Sequence, residues 1–425
     1  MHRFGAAQKG AISNDELAAS GRFGLHREAR IRIRKVHPMR ILHVIHSIRA
    51  STGGPARALQ DLVPWLVNAG VDCKIACCES DAESLCGPVC QFGGTVVEHL
   101  GCGRWKSLVS KSDPLLERLV SEADIVHIHG IWEGTLVAAC RAARAAGKPS
   151  VCSPHGMLAP WSMSRHRLRK LPYFHLFTRP MLRNLSAMQF TTQAELEHAR
   201  SRLNPIVRSF VAPVILSDAF YREMPPRETA ESLFPQIPTD GAWVLFLARL
   251  HPVKGLEKLV EAFPGVLKRF PRAQLVIAGS GDPAYEKLIR RMVLSLGIND
   301  STHFVGMVHG AAKVALYRRA AILAVPSRHE NFGIVFAESL ACETPVLLTP
   351  QVDIHQEIMQ AGAGFLVEDS PNAIAVGLLN ALCDAPKSRA AGKAGRKWVL
   401  EYLAPEKVTN RQREFYERVL SDRPK

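Results

Sequence analysis

The stretch Pro326–Val346, PSRHENFGIVFAESLACETPV, decides how the chain is read. It holds two glutamates, Glu330 and Glu338, eight positions apart, with Asn331-Phe332-Gly333 and an apolar run between them. As one helix it would carry both carboxylates on one face. Gly333 argues against that, because glycine costs about 1 kcal/mol inside a helix. The better reading is a strand end, a glycine turn, and a helix beginning near Ile334. One carboxylate then lies in the turn and the other in the first turns of the helix.

Working outward, apolar strand-like runs alternate with amphipathic stretches. Strands are expected at 40–46, 73–78, 95–98, 124–129, 149–153, 186–190 and 208–212. Helices are expected at about 54–69, 113–122, 133–146, 170–184 and 193–201. The rhythm breaks over 213–240, where Pro213, Pro225, Pro226, Pro235 and Pro238 mark a linker. It resumes with strands at 243–248, 274–278, 302–305 and 321–325 and helices at 254–269, 283–295 and 310–319. Such alternation predicts parallel sheets covered on both faces. The expected architecture is α/β, with two doubly wound, Rossmann-like domains facing a cleft. The expected division is a basic extension over 1–38, a first domain over 39–215, a second over 216–402, and a helix over 403–425 returning to the first domain.

Ligands of open α/β sheets bind at the carboxyl ends of strands. Those ends are polar here. Arg249-Leu-His-Pro-Val-Lys254-Gly255 follows the 243–248 strand, and Ser327-Arg-His-Glu330 follows the 321–325 strand. In the first half, Gly53-Gly54 precedes a helix, His129-Gly130 closes one strand and Pro154-His155-Gly156 follows another. One such loop is ordinary turn chemistry. Arg249, Lys254 and Glu330 at the strand ends of one sheet point to a shared ligand.

The chain has 425 residues and a formal net charge of +15, which favours an anionic partner. No apolar run reaches the ~18 residues of a membrane span, and no apolar leader core is read near the N-terminus. Residues 1–38 carry eight Lys/Arg and three acids. They read as an extension upstream of a first strand led by Met39; the rival reading, a targeting peptide, is weakened by those acids. Six of ten cysteines lie between Cys73 and Cys102 without C-x-x-C or zinc-finger spacing, so neither metal nor cofactor is expected. Cys140, Cys152, Cys342 and Cys383 read as small core residues. G-x-G-x-x-G is missing after the first strand, which argues against a dinucleotide oxidoreductase. A periplasmic binding protein would require a signal peptide.

Taken together, R249-L-H-P-V-K254-G, the E-x7-E pair Glu330/Glu338, Gly53-Gly54 and the SPHGM loop at 153–157 resemble glycosyltransferase family 4, of the GT-B fold. The resemblance extends from Met39 to about Leu420. It implies a nucleotide-diphosphate sugar as donor. Glu338 would hold the ribose, Glu330 the hexose, and backbone N–H groups near Gly333, Ile334 and Val335 the pyrophosphate. The last assignment suits the physics, since a helix N-terminus presents free N–H groups and a positive dipole end to an anion. Gly53 and Gly54 would join the substrate site. Arg249 and Lys254 would neutralise the departing diphosphate, a role metal-dependent transferases give to an ion held by Asp-x-Asp; no such motif occurs here. The resemblance also implies retention of configuration by front-face displacement, with His155 contacting the hexose. Ala248, Glu343 and Pro213-Val-Ile215 depart from the family's usual residues, but none removes a candidate catalytic group.

No acid lies between Gly134 and Ala194, whereas Arg165, Arg167, Arg169, Lys170, Arg179 and Arg183 alternate with Leu168, Leu171, Tyr173, Phe174, Leu176 and Phe177. Such a stretch fits an anionic membrane surface; no nucleic-acid motif accompanies it. With the SPHGM loop, which resembles the surface-polysaccharide subgroup, it points to a lipid-linked saccharide acceptor. The expected location is cytoplasmic, peripheral on the inner face of the plasma membrane. The alternatives are a soluble sugar acceptor and a nucleotide-sugar-binding protein without transfer activity.

Overall fold

A computed structural model of the chain describes residues 38–49, 54–79, 89–92, 95–100, 113–204, 206–216, 220 and 224–422. The first domain is built on one sheet: β1 (Arg40–Ile45), β2 (Asp72–Cys77), β3 (Val89–Phe92), β4 (Thr95–His99), β5 (Ile125–His129), β6 (Ser150–Ser153), β7 (Ala187–Phe190) and β8 (Ser209–Val211). The spatial order is β3-β4-β2-β1-β5-β6-β7-β8. All neighbours are parallel except β3, which pairs antiparallel with β4 at the edge.

The second sheet contains β9 (Trp243–Leu247), β10 (Gln274–Ala278), β11 (Thr302–Gly306), β12 (Ile322–Ala324), β13 (Val346–Leu348) and β14 (Gly364–Leu366), in the order β11-β10-β9-β12-β13-β14. The chain starts at the middle strand of each sheet, winds to one side, then returns and winds to the other. That is a doubly wound order, with switch points between β1 and β5 and between β9 and β12. β1, β5, β9, β10 and β12 are buried on both faces apart from Arg40, as parallel strands covered by helices must be.

Helix starts follow the local chemistry. Asp113, Asp282 and Ser370 each accept an N-cap hydrogen bond ahead of a proline in the first turn. The helix expected over 170–184 runs further, from Arg167 to Arg183, and contains a π-turn at Phe174–Thr178. Pro172 and Pro180 lie on either side of that turn, and each withholds a backbone donor. The linker region carries a short helix, Glu228–Leu233. The helix expected from 254 begins at Leu256, after a 3-10 turn at Pro252–Lys254.

Cys140, Cys152 and Cys342 are buried, but Cys383 is exposed. The Pro371–Cys383 helix turns Ile374, Gly377, Leu378 and Ala381 inward, and Cys383 falls off that stripe. The terminal helix, Pro405–Ser421, packs on the first domain. Phe415, Tyr416 and Val419 join the core formed by Ile41, Ile45, Ile75, Ile125 and Val151. Phe415 stacks on Phe210 at 4.7 Å, and Gln412 donates to Gln189 at 2.7 Å.

Candidate active site

A cavity of about 430 Å³ opens between the two sheets' carboxyl ends. Its walls include Gly54, His155, Arg249, Lys254, Glu330, Gly333 and Ile334, seven of the residues singled out from sequence. Val335 and Glu338 sit beyond this lining on the Ile334–Ala341 helix, and Gly53 lies outside the described residues.

Arg249 is exposed in the loop after β9. Lys254, in the following 3-10 turn, forms an ion pair with Glu330. The side chains of Lys254 and Glu330 are only 16% and 18% exposed, so the pair has a stake in its partner that a surface pair lacks. Burial and then the Arg249 charge push the Lys254 ammonium down to about 8. The cavity wall therefore holds one exposed guanidinium and one amine whose charge is tied to its surroundings.

Gly333 caps the Ile334–Ala341 helix in the left-handed region, at φ 69°. A Cβ there would stand 2.6 Å from the Phe336 ring and 2.9 Å from Glu330 Cγ, so only glycine fits. The turn thus brings the helix's free N–H groups beside the Glu330 carboxylate. Further along that helix, Glu338 is 5% exposed and accepts from Lys313 Nζ at 2.5 Å and Tyr317 Oη at 2.9 Å. Each oxygen has one protein partner, which leaves lone pairs for further donors.

The first domain closes the other wall. His155 has φ 51°, left-handed for a non-glycine residue, and Gly156 follows at 75°. The Gly156 N–H donates to Glu195 at 2.5 Å, and Glu195 also accepts from the Thr191 N–H and hydroxyl at 2.8 and 3.0 Å. Glu195 is 1% exposed; burial raises its pKa, opposed by those hydrogen bonds. Asn331 of the second domain donates to Thr191 at 2.8 Å, and Trp161 stacks on His329 at 5.4 Å. His198 and Asp353 face each other across the same divide at 3.7 Å.

Two family models divide the chain between them. The glycosyl transferase 4-like domain matches residues 53–214, and glycosyl transferases group 1 matches residues 229–398. The chain belongs to the group 1 glycosyltransferases, of the GT-B fold.

Among relatives, a GDP-mannose-dependent alpha-(1-6)-phosphatidylinositol monomannoside mannosyltransferase of Mycolicibacterium smegmatis is 27% identical over 304 residues, covering 67% of this chain and 75% of that one. A phosphatidyl-myo-inositol mannosyltransferase of Mycobacterium leprae is 34% identical, covering 43% and 49%. In structure the chain resembles sucrose-phosphate synthase from Thermosynechococcus elongatus, with TM-score 0.73, 19% identity, and 90% and 99% of the two chains covered. It likewise resembles Anabaena HepE in complex with UDP and glucose, with TM-score 0.70, 19% identity, and 89% and 100% covered.

Sequence reasoning missed several groups of this glycosyltransferase's cleft: Asp61, Trp161, Thr191, His329 and Asn331. It also missed Glu195, behind the wall. Thr192-x-x-Glu195 is the pattern of a capping box, and Thr192 does cap the Glu195 N–H at 3.0 Å. Its glutamate turns instead to Thr191 and Gly156, which the pattern alone cannot reveal. The apolar side chains of the basic stretch divide between surface and core. Leu168 and Leu176 are 93% and 67% exposed, whereas Phe174 is buried and Tyr173 and Phe177 pack against the core.

Proposed function

We propose that this glycosyltransferase moves a hexosyl group from a nucleotide-diphosphate sugar to a lipid-linked saccharide in surface polysaccharide synthesis, with retention of configuration and without a metal. The observation that carries the donor assignment is the convergence of Arg249, Lys254 and the Gly333-capped helix N-terminus on one wall of the cleft. Fixed cations and free N–H groups suit a diphosphate on which charge grows as the sugar leaves. Glu330 receives hexose hydroxyls and Glu338 the ribose. The bond from the anomeric carbon to the diphosphate oxygen breaks with its electron pair on the diphosphate. The acceptor hydroxyl attacks from the same face and passes its proton to the departing phosphate oxygen.

The acceptor assignment draws support from the Arg167–Arg183 helical run. Arg167, Arg169 and Arg183 are exposed, beside exposed Leu168 and Leu176, and none of the three is in an ion pair among the described residues. Each cation near an anionic bilayer contributes about 1 kcal/mol, giving roughly 3 kcal/mol of reversible attraction. Among the described residues no helix is long and apolar enough to cross a membrane, so a surface contact is the mode proposed, on the cytoplasmic side. Relatives named for phosphatidylinositol substrates fit an acceptor held in a bilayer.

Two measurements test the reading. A thermal-shift screen across nucleoside diphosphates and their sugars should single out one base; the absence of any shift would defeat the donor assignment. Flotation with anionic liposomes should recover the protein at low salt and lose it at high salt. R167E/R169E and L168D/L176D should each abolish flotation while sparing hydrolysis of the donor. Indifference of the wild type to anionic liposomes would put the soluble acceptor ahead.

A further inference from the structure

His43, His127 and His129 form a buried imidazole cluster in the middle of the first sheet. The register of β1 and β5 places His43 opposite His127, and that of β5 and β6 places His129 opposite Ser153. Alternate strand residues share a face, so all four side chains meet beneath the terminal helix. His43 Nδ1 lies 3.0 Å from His129 Nε2, and His129 Nδ1 lies 3.1 Å from His155 Nε2. This chain of rings runs from the core to the cleft wall. His127 stands beside it, stacked on His129 at 4.3 Å. Its own nitrogens are taken by Tyr416 Oη at 2.7 Å and Ser153 Oγ at 2.8 Å.

Resting on the reading of His155 as a donor-sugar contact, we infer that His43 and His129 are positioning residues that fix His155 as the Nδ1–H tautomer. It then offers the cleft a hydrogen-bond donor. The argument is one of counting. A neutral imidazole has one N–H, and three rings joined by two bonds can point their protons in only two ways. With protons running toward the cleft, His43 and His129 donate from Nδ1, His155 accepts at Nε2, and the His155 proton sits on Nδ1. The cost is a bare lone pair at His43 Nε2. With protons running inward, His43 Nε2 carries an N–H instead. That nitrogen is buried without a partner. An orphaned N–H in a core is rarer and costlier than an orphaned acceptor, so the outward direction wins. Burial keeps the rings neutral: His43 is pushed down to about 3, His155 to about 4, and His129 well below the usual histidine range.

A donor at that position suits a sugar hydroxyl oxygen, which can accept from Nδ1–H while donating elsewhere. The inward tautomer would present a bare nitrogen and demand the opposite hydroxyl orientation.

Nitrogen-detected NMR of the full chain with ¹⁵N-histidine, assigned by His155→Gln, reads the tautomer without substrate. The expected result is a protonated Nδ1 and a bare Nε2 on His155. A protonated Nε2 overturns the inference, as does one equivalent of tightly bound metal in the purified protein, since an ion between His43 and His129 leaves no proton to order. The kinetic arm compares His129→Leu with His129→Asn, whose amide N–H overlays the His129 Nδ1 donor. The leucine variant should lose about tenfold in kcat, with donor affinity little changed, and the asparagine variant should recover most of it. Equal loss in two variants that fold like the wild type also overturns the inference. If the leucine variant does not fold, the wild-type spectrum decides. A wild type that transfers no sugar would sink the proposed function and leave the tautomer assignment standing.

Discussion

Replacing Gly156 with alanine tests the fit between the two domains. Gly156 is left-handed at φ 75°, and a Cβ added there would stand 2.8 Å from Asn331 Cβ. Two costs follow. The left-handed conformation costs a non-glycine residue about 1–2 kcal/mol. In addition, Asn331 must withdraw from a contact tighter than van der Waals allows, and its 2.8 Å bond to Thr191 is the natural casualty. A hydrogen bond of this kind contributes roughly 0.5–1.5 kcal/mol net. Gly156→Ala should therefore lose roughly 1.5–3.5 kcal/mol in all. For a domain of this size each kcal/mol lowers Tm by about 2–4 °C. The informative measurement is the cycle with Asn331→Gly, which removes the Cβ as well as the amide, read by urea denaturation and by thermal melting. With Asn331 truncated, the clash and the bond are both gone, so Gly156→Ala should cost only its backbone term. The pair should couple by about 0.5–1.5 kcal/mol, as contacting residues do. Strict additivity would refute the contact, and a harmless Gly156→Ala would refute the left-handed loop as well.

Arg249→Ala and Lys254→Ala should fold and slow transfer by roughly 10- to 150-fold, from about 1.5–3 kcal/mol lost with a charge-assisted contact; near-normal turnover would remove the leaving-group role. Because Lys254 titrates at about 8 and acts as the cation, kcat/KM should hold below that pH and fall above it, and this alkaline limb should vanish in Lys254→Arg. Free nucleoside diphosphate has a ribose but no hexose, so Glu338→Ala should weaken its binding while Glu330→Ala mainly lowers transfer; equal losses would argue against divided roles. EDTA should leave activity intact, and complete loss restored by Mg²⁺ or Mn²⁺ would return the leaving group to a metal.

The parallel strands were legible because Trp243–Leu247, Gln274–Ala278 and their counterparts are short apolar runs between amphipathic stretches. The Arg249–Glu330 wall was legible because strand ends converge in a doubly wound sheet, and sequence order names the ends. β3 was not: a four-residue antiparallel edge strand is too short to write a pattern. The π-turn escaped because helical periodicity is blind to one slipped hydrogen bond; only Pro172 and Pro180 hint at it. His43, His129 and His155 are scattered along the chain and meet only through the register of three strands. Asn331 and Thr191 meet only when the domains do.

The terminal helix has a consequence for the order in which the chain can fold. Its Phe415 and Tyr416 are inner residues of a domain whose last strand, β8, ends at Val211. From Val211 to Ser421 is 210 residues, which a ribosome adds in roughly 10–40 s. Throughout that interval the first domain has its strands but lacks the aromatic pair that covers one face and the phenol that anchors His127. The second domain, by contrast, has its last strand and the helices after it before the terminal helix is made. Synthesis from the N-terminus thus completes the second-made domain first, and the nascent first domain must keep an apolar face shielded until the chain's end arrives to close it.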